Sequence, residues 1–351
     1  MRFGLSFLPD CTPETKSPQT YFSDALELSV HAEIRGLDSI KMTEHYLQNY
    51  GGYCPSPLGF LSAVAALTST VRLKTGCVLP VFHHPIQLAA EAAQVDVISG
   101  GRLDVGFAQA YLPDEFDLLD LEMGESTDRF RETIRAVLRI WTEEKVSEQT
   151  PFFSYRNVTV VPRSTQRPHP PVWGAAARTP ESFAWLGTQG LGLLITPLIA
   201  PHGSRDHLKL YRDAFHAALG GSELRPQVAA NLPLVVADTD ERAEEIADLY
   251  LRRYLNAWAN AVSPWGKGGS RGYSGIGRML RELRPAALYT EGGAIVGSPA
   301  TVIDRIRAFN GNVGGVDEIL WQIDFGAMPL SEARRTLTLF CNEVLPAVKS
   351  L

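Results

Sequence analysis

The sequence predicts a single (β/α)8 TIM barrel, and three observations carry that prediction. Short apolar strands alternate with amphipathic helices, the alternation repeats eight times, and 351 residues leave room for one long insertion in a barrel of roughly 250. Alternation predicts a parallel sheet, and eight units favour a closed barrel over an open, doubly wound one.

The strands are read, in order, at Arg2–Leu8, Asp38–Thr43, Arg72–Leu79, Leu103–Gln109, Val172–Ala175, Leu191–Thr196, Gln227–Ala237 and Val316–Ile323. Helices are expected at Tyr21–Arg35, Pro57–Thr68 and Pro85–Ile98, the last opening on a proline and stopping at Gly100-Gly101. A helix over Asp128–Trp141 carries Phe130, Ile134, Val137, Leu138 and Trp141 at helical spacing. Pro151–Val161 alternates like a surface hairpin, and the proline-rich stretch at Arg167–Pro171 leads into the fifth strand. Further helices are expected at Pro180–Thr188, Arg205–Leu219, Asp240–Ala261, Pro299–Phe309 and Ser331–Val348. One segment breaks the rhythm. Ser263–Ala287, between the seventh and eighth units, holds six glycines from Gly266 to Gly277 together with Lys267, Arg271, Arg278, Arg281 and Arg284. It reads as a solvated basic loop or as a lid over an anionic ligand.

Composition removes several classes. With 45% hydrophobic and 21% charged residues and a net charge of −6, the chain is globular, and its acidity gives no support to nucleic-acid binding. Its longest apolar runs, near Leu58–Leu67 and Leu191–Ala200, fall well short of the roughly 20 residues of a membrane span. The N-terminus is too short an apolar core for a signal peptide. Cys11, Cys54, Cys77 and Cys341 lie far apart without CxxC spacing, which argues against structural zinc and disulfides and fits the reducing cytoplasm.

A TIM barrel builds its site from residues that follow its strands. Thr43-Glu44-His45-Tyr46 follows the second strand, and His45 beside Tyr46 and Tyr50 suits acid–base work near neutral pH as well as a structural role. After the fifth strand, Ala177-Arg178-Thr179 opens a helix, where small residues and free amides suit a phosphate; Thr179 as an ordinary N-cap is the plain alternative. His83-His84 does not present a chelating pair on one face, so no metal is expected. There is no G-x-S-x-G elbow, no P-loop and no G-x-G-x-x-G after a strand.

At these residues the chain resembles the bacterial-luciferase-like flavin-dependent monooxygenases. The likeness rests on Arg2-Phe3-Gly4, Thr43-Glu44-His45-Tyr46, Thr75-Gly76-Cys77-Val78-Leu79-Pro80, His83-His84-Pro85, Asp96–Leu103, Arg129-Phe130, Pro168–Trp173, Gly297-Ser298-Pro299 and Leu345-Pro346, in that order. It implies FMN delivered as FMNH2 by a separate flavin reductase, and O2, with a C4a-peroxyflavin or hydroperoxyflavin oxygenating a small-molecule substrate. In that reading His45 is the active-site histidine, Glu44, Thr75 and Gly76 lie by the flavin, and Ser263–Ala287 is the mobile lid. The resemblance also implies a dimer, expected here as a homodimer although a heterodimer fits the sequence equally.

Two departures matter. Ala108-Gln109 stands where luciferase has a cysteine and a phosphate-binding arginine, so the phosphate would rest on Gln109, Arg129 and Ala177-Arg178-Thr179. Tyr46 replaces a second histidine, and light emission is not expected. The Glu44–Gly52 and Gly76–Pro85 stretches look like family members from natural-product and antibiotic pathways, and Tyr46, Tyr50, Phe82 and Tyr111 are candidates to line the substrate pocket. An F420-dependent oxidoreductase of the same fold, and a non-catalytic flavin-binding partner subunit, are the competing readings.

Overall fold

A computed structural model describes residues 1–198, 203–264 and 275–351. Eight parallel strands form the barrel: β1 (Arg2–Phe7), β2 (Ser39–Met42), β3 (Arg72–Thr75), β4 (Leu103–Phe107), β5 (Val172–Ala175), β6 (Gly192–Ile195), β7 (Val228–Val236) and β8 (Glu318–Gln322). Each pairs with the next in chain order, and β8 returns to β1 with Arg2 opposite Glu318, which closes the sheet. All eight expected strands are present, most of them shorter than read, because the apolar run of the sequence outlasts the hydrogen-bonded pairing at their ends. Every residue of β7 is buried, as a strand covered on both faces requires.

The surrounding helices are α1 (Pro18–Ile34), α2 (Pro57–Leu67), α3 (Pro85–Ile98), α4 (Pro113–Leu118), α5 (Ser126–Thr142), α6 (Pro180–Thr188), α7 (Ser204–Leu219), α8 (Asp240–Ala261), α9 (Ile276–Glu282), α10 (Pro285–Thr290), α11 (Pro299–Val313) and α12 (Leu330–Leu339). Their starts follow the chemistry of unsatisfied first-turn amides. Ser17, Ser56 and Thr239 accept from those amides, and prolines occupy the first turns of α1, α2 and α3.

Several features differ from expectation; the closing helix expected over Ser331–Val348 runs as α12 only to Leu339 and continues through a π turn at Phe340–Val344 into a last turn at Leu345–Val348. The hairpin begins earlier, pairing Val146–Gln149 with Ser154–Val158, since Val146 rather than Pro151 supplies its first buried side chain. Helix α4 was not foreseen; at six residues it is too short to show a period. A short strand at Ile295–Gly297 adds beside Leu234–Val236 of β7. Of the anticipated lid, residues 265–274, with Lys267 and Arg271, lie outside the described residues; residues 263–264 and 275–287, the latter including α9 and the start of α10, are its described remainder. The guanidinium of Arg252 ties α9 to α8, donating to the carbonyls of Arg281 (3.0 Å) and Leu283 (2.6 Å).

The barrel interior is polar at both ends. At the floor, Lys74 is fully buried, donates to Glu318 Oε2 at 2.5 Å, and lies 3.8 Å from both Asp104 and the centre of the Trp173 ring. Ser39 donates to the other Glu318 oxygen, and Arg72 pairs with Asp104. Burial alone would raise the Glu318 carboxyl; the charges of Lys74 and Arg2 and these hydrogen bonds outweigh it and hold it below the usual range.

Candidate active site

The mouth of the barrel, where the strands end, carries the chemistry. Beyond β2 the chain places Glu44 and His45 side by side, and each acquires a different partner. His45 is buried, with Nδ1 3.0 Å from Oε1 of Glu115 on α4. The same oxygen accepts the Tyr46 backbone N–H at 2.9 Å, so both the loop and its imidazole are held by one carboxylate. Gly51 packs against the imidazole, where a Cβ would come within 2.6 Å of the ring. Its φ of +86° suits glycine, and its N–H donates to the Pro9 carbonyl at 2.8 Å. A carboxylate on one imidazole nitrogen fixes the ring's orientation and leaves Nε2 for other work.

Glu44 is fully buried and fully used. It accepts from Tyr46 Oη (2.7 Å), His83 Nε2 (2.8 Å) and the Leu79 N–H (2.9 Å). Burial would lower the His83 imidazole, but the hydrogen bond and charge of Glu44 win and raise it, which favours an imidazolium–carboxylate pair. Phe82 meets Tyr46 edge to face at 6.0 Å between centroids and Phe116 at 5.1 Å. His84 instead accepts from the Ile86 N–H at the start of α3, so the adjacent histidines do different jobs.

Beyond β3, the Gly76–Cys77 peptide is cis, Thr43 Oγ1 donates to the Gly76 carbonyl at 2.7 Å, and the Lys41 side chain lies where a Gly76 Cβ would be. Thr75 exchanges two 2.8 Å hydrogen bonds with the Gly106 backbone, so its hydroxyl is spent on joining β3 to β4.

The expected phosphate residues follow two neighbouring strands, Gln109 after β4, Arg129 on α5 and Ala177-Arg178-Thr179 after β5. Gln109 Nε2 donates to Ser126 Oγ (2.7 Å) and Thr127 Oγ1 (2.8 Å) at the start of α5. Arg129, one turn on, lies 4.6 Å over the Phe152 ring and reaches Glu125 at 3.4 Å, while its buried Nε has no partner among the described residues. Ala177, Arg178 and Thr179 are exposed ahead of α6, and the Thr179 hydroxyl does not cap that helix. The buried Arg129 N–H without a described partner and the start of α6 without a side-chain cap are each features that suit an anionic group.

A wall of aromatic rings stands behind His45. Tyr50 and Tyr111 lie 5.5 and 6.0 Å from its ring centre, and Tyr50 stacks on Trp258 of α8 at 6.0 Å and 11°. Tyr50 and Tyr254 Oη atoms are 3.4 Å apart. The sequence candidates therefore gather into three groups: His45, Tyr50 and Tyr111; Glu44, Tyr46 and Phe82; and Gln109 with Arg129. Sequence reasoning missed Glu115, whose signal was Pro113 followed by two acidic residues of a helix's first turn. It also missed Tyr254 and Trp258, which carry no local signal because they are ordinary residues of an amphipathic helix.

A closed parallel barrel with a buried histidine–carboxylate pair and an aromatic wall at its mouth has the form of an enzyme's active site. The comparisons with known proteins agree: the sequence profile of the luciferase-like monooxygenases matches residues 1–315, and the chain belongs to that family of enzymes. It is 29% identical to the oxygenase component of the flavin-dependent trigonelline monooxygenase of Acinetobacter baylyi, over 99% of this chain and 95% of that one. The crystal structure of monooxygenase RslO1 from Streptomyces bottropensis superposes with a TM-score of 0.84 at 36% identity, covering 99% of both chains. An F420-dependent glucose-6-phosphate dehydrogenase of Amycolatopsis mediterranei is 26% identical over 93% of this chain and 95% of its own.

Proposed function

We propose that this chain is the oxygenase component of a two-component monooxygenase that takes FMNH2 from a separate flavin reductase, uses O2, and oxygenates a small secondary-metabolite intermediate. The observation that carries the reading is the His45–Glu115 pair, buried at the strand ends and flanked by aromatic rings. Gln109, Arg129 and the Ala177–Thr179 loop would hold the flavin phosphate. Glu44, Thr75 and Gly76 would lie along the ring, and Tyr46, Tyr50, Phe82 and Tyr111 along the substrate. The bound flavin supplies the electron pair and the activation of oxygen. The chain's own contribution is orientation, exclusion of water and proton handling by His45.

The relative from Acinetobacter is named an oxygenase component, which supports a reductase partner. Four buried free cysteines suit a reducing cytoplasm. No described helix is long and apolar enough to cross a membrane. The segment 263–287 is proposed as a lid within the single barrel of residues 1–351, and the protein as a homodimer.

The test is reconstitution. Purified protein with FMNH2 consumes oxygen and forms an oxygenated product from an accepted substrate, and His45→Ala lowers that rate by roughly 10²–10⁴-fold. Substrate turnover with reduced F420 and none with FMNH2 would transfer the assignment to F420 hydride chemistry, the reading favoured by the Amycolatopsis relative. Flavin binding without turnover would make the chain a partner subunit.

A further inference from the structure

We propose that Lys41 and Gln322 form an anion-binding subsite inside the barrel, just below its mouth, which takes an anionic oxygen on the edge of a planar conjugated ligand. The proposal deepens the reading of the mouth as the place of flavin and substrate, and rests on it. Such an oxygen belongs to a carboxylate or phenolate of the substrate, or to the ring of the reduced flavin when that ring is ionised.

The strands fix which side chains face inward. Glu318 and Leu320 of β8 point into the barrel, Glu318 to Lys74 and Leu320 to a cluster with Trp173 and Leu194. Side chains alternate along a strand, so Gln322 faces the same way. Lys41 of β2 pairs in register with Ser6 on one side and Lys74 on the other. Its ammonium donates to Ser6 Oγ at 2.9 Å and to Thr43 Oγ1 at 3.2 Å. Thr43 Oγ1 donates in turn to the Gly76 carbonyl at 2.7 Å, so the Lys41 head stands at the level where β3 ends. A Cβ on Gly76 would collide with the Lys41 side chain, and its absence lets that side chain rise to the mouth. Leu5 pairs with Trp321, which brings Gln322 level with Ser6; Lys41 and Gln322 therefore flank Ser6 from either side.

Both flanking groups hold donors that the protein leaves unused. Lys41 is only 6% exposed, and its described acceptors are two neutral hydroxyls for three N–H bonds. Gln322 is 1% exposed, and its Nε2 has no partner among the described residues. Lys74, one strand away, is the contrast, with the Glu318 carboxylate at 2.5 Å. The carboxylates that follow β1 and β8 are engaged elsewhere: Asp10 accepts from the Gly326 N–H at 2.6 Å and Asp324 from Tyr21 Oη at 2.8 Å. Among the described residues no carboxylate comes within ion-pair distance of Lys41, and Asp324 acts on it only from further off. Burial pulls the ammonium down to about 8, which leaves it charged at neutral pH. A buried charge is costly until something replaces its lost water, and a bound anion would do so. Across the barrel, the inward residues at the ends of β4 and β5 are Ala108 and Ala175, small and still partly exposed, which leaves room for a ligand on that side.

The first test needs no flavin. Calorimetric titration of the apoprotein is expected to favour benzoate over its neutral isostere benzamide by about tenfold or more. Lys41→Met removes the charge, and Gln322→Glu sets a carboxylate against the ammonium. Each is expected to abolish the preference, and either alone decides if the other does not fold. The second test is anaerobic titration with FMN and with FMNH2. A benzoate preference lost in the variants, with the ratio of FMNH2 to FMN affinity unchanged, assigns the anion to the substrate. A ratio that falls about tenfold in the variants, with no benzoate preference in the wild type, assigns it to the reduced flavin ring. If neither quantity responds to either variant, the subsite is overturned. A wild type that binds FMN in neither state overturns the FMN reading of the mouth, while the benzoate titration still decides the subsite.

Discussion

The two ends of this barrel bury charge in opposite ways. At the floor, Lys74 sits among Glu318, Asp104 and the Trp173 ring, and the Glu318 carboxylate receives donors on both oxygens. At the mouth, Asp10, Asp324 and Glu115 each keep a buried oxygen without a described partner. A buried charge is tolerated when its partners replace water, and costs several kcal/mol when they do not. The floor has satisfied that condition and does structural work. The mouth has left it open, as sites that must exchange protons or accept ligands do. The mouth mixes both kinds, Glu44 fully paired with His83 and Tyr46 while Asp10, Asp324 and Glu115 keep an oxygen open, whereas the floor's charges are all paired.

The largest expected effect breaks the floor. Lys74→Met leaves Glu318 buried beside an apolar chain and is expected to cost about 3–5 kcal/mol of unfolding free energy. The double variant Lys74→Met/Glu318→Leu removes the stranded charge and is expected to recover most of the loss. Denaturant unfolding of both decides it; if the single variant is as stable as wild type, the floor is not a compensated network.

At the mouth the same kind of change should spare the fold and damage the chemistry. Glu115→Gln keeps the shape of α4 but replaces the carboxylate on His45 with an amide. A fall of roughly 10–100-fold in kcat with Tm nearly unchanged is expected. Should Tm collapse while kcat survives in the folded fraction, Glu115 belongs with the floor's kind of charge. On the rim, Arg129→Ala is expected to weaken FMNH2 binding by about tenfold, the size of one charge-assisted hydrogen bond. Equilibrium titration under anaerobic conditions reads it, and unchanged affinity would leave the phosphate to Gln109 and the Ala177–Thr179 loop.

The fold was legible because alternation survives any single misread boundary. Strand ends were overestimated where apolar residues such as Val78 and Leu79 run on past β3 into the mouth. His45 and Glu44 were legible from their place after a strand. Their partners were not, because Glu115 lies 70 residues from His45 in sequence and meets it only through the pairing of β2, β3 and β4. Tyr254 and Trp258 read as the apolar face of a long helix, which they also are. Asp10, just past β1, carries no signal in the sequence. Only closure of β8 onto β1 buries it against Asp324.

The smallest expected effect separates the two ends by the sign of their pH dependence. Glu318 is held below its unfolded value, so its contribution is present at neutral pH and is lost only as acid protonates it. Asp10 is held above its unfolded value, at about 8. Between about pH 4 and pH 8 the folded state therefore binds a proton that the unfolded chain has released, and stability falls as pH rises through that window. Asp10→Asn removes the titration and keeps an oxygen to accept the Gly326 N–H. Its Tm relative to wild type is expected to climb steadily from about pH 5 to about pH 8, by a few degrees in all. Glu318→Gln should do the reverse, its penalty relative to wild type being greatest at neutral pH and shrinking towards acid. If the Asp10→Asn difference is flat across the window, Asp10 is an ordinary ionised carboxylate, and the contrast between floor and mouth reduces to geometry alone.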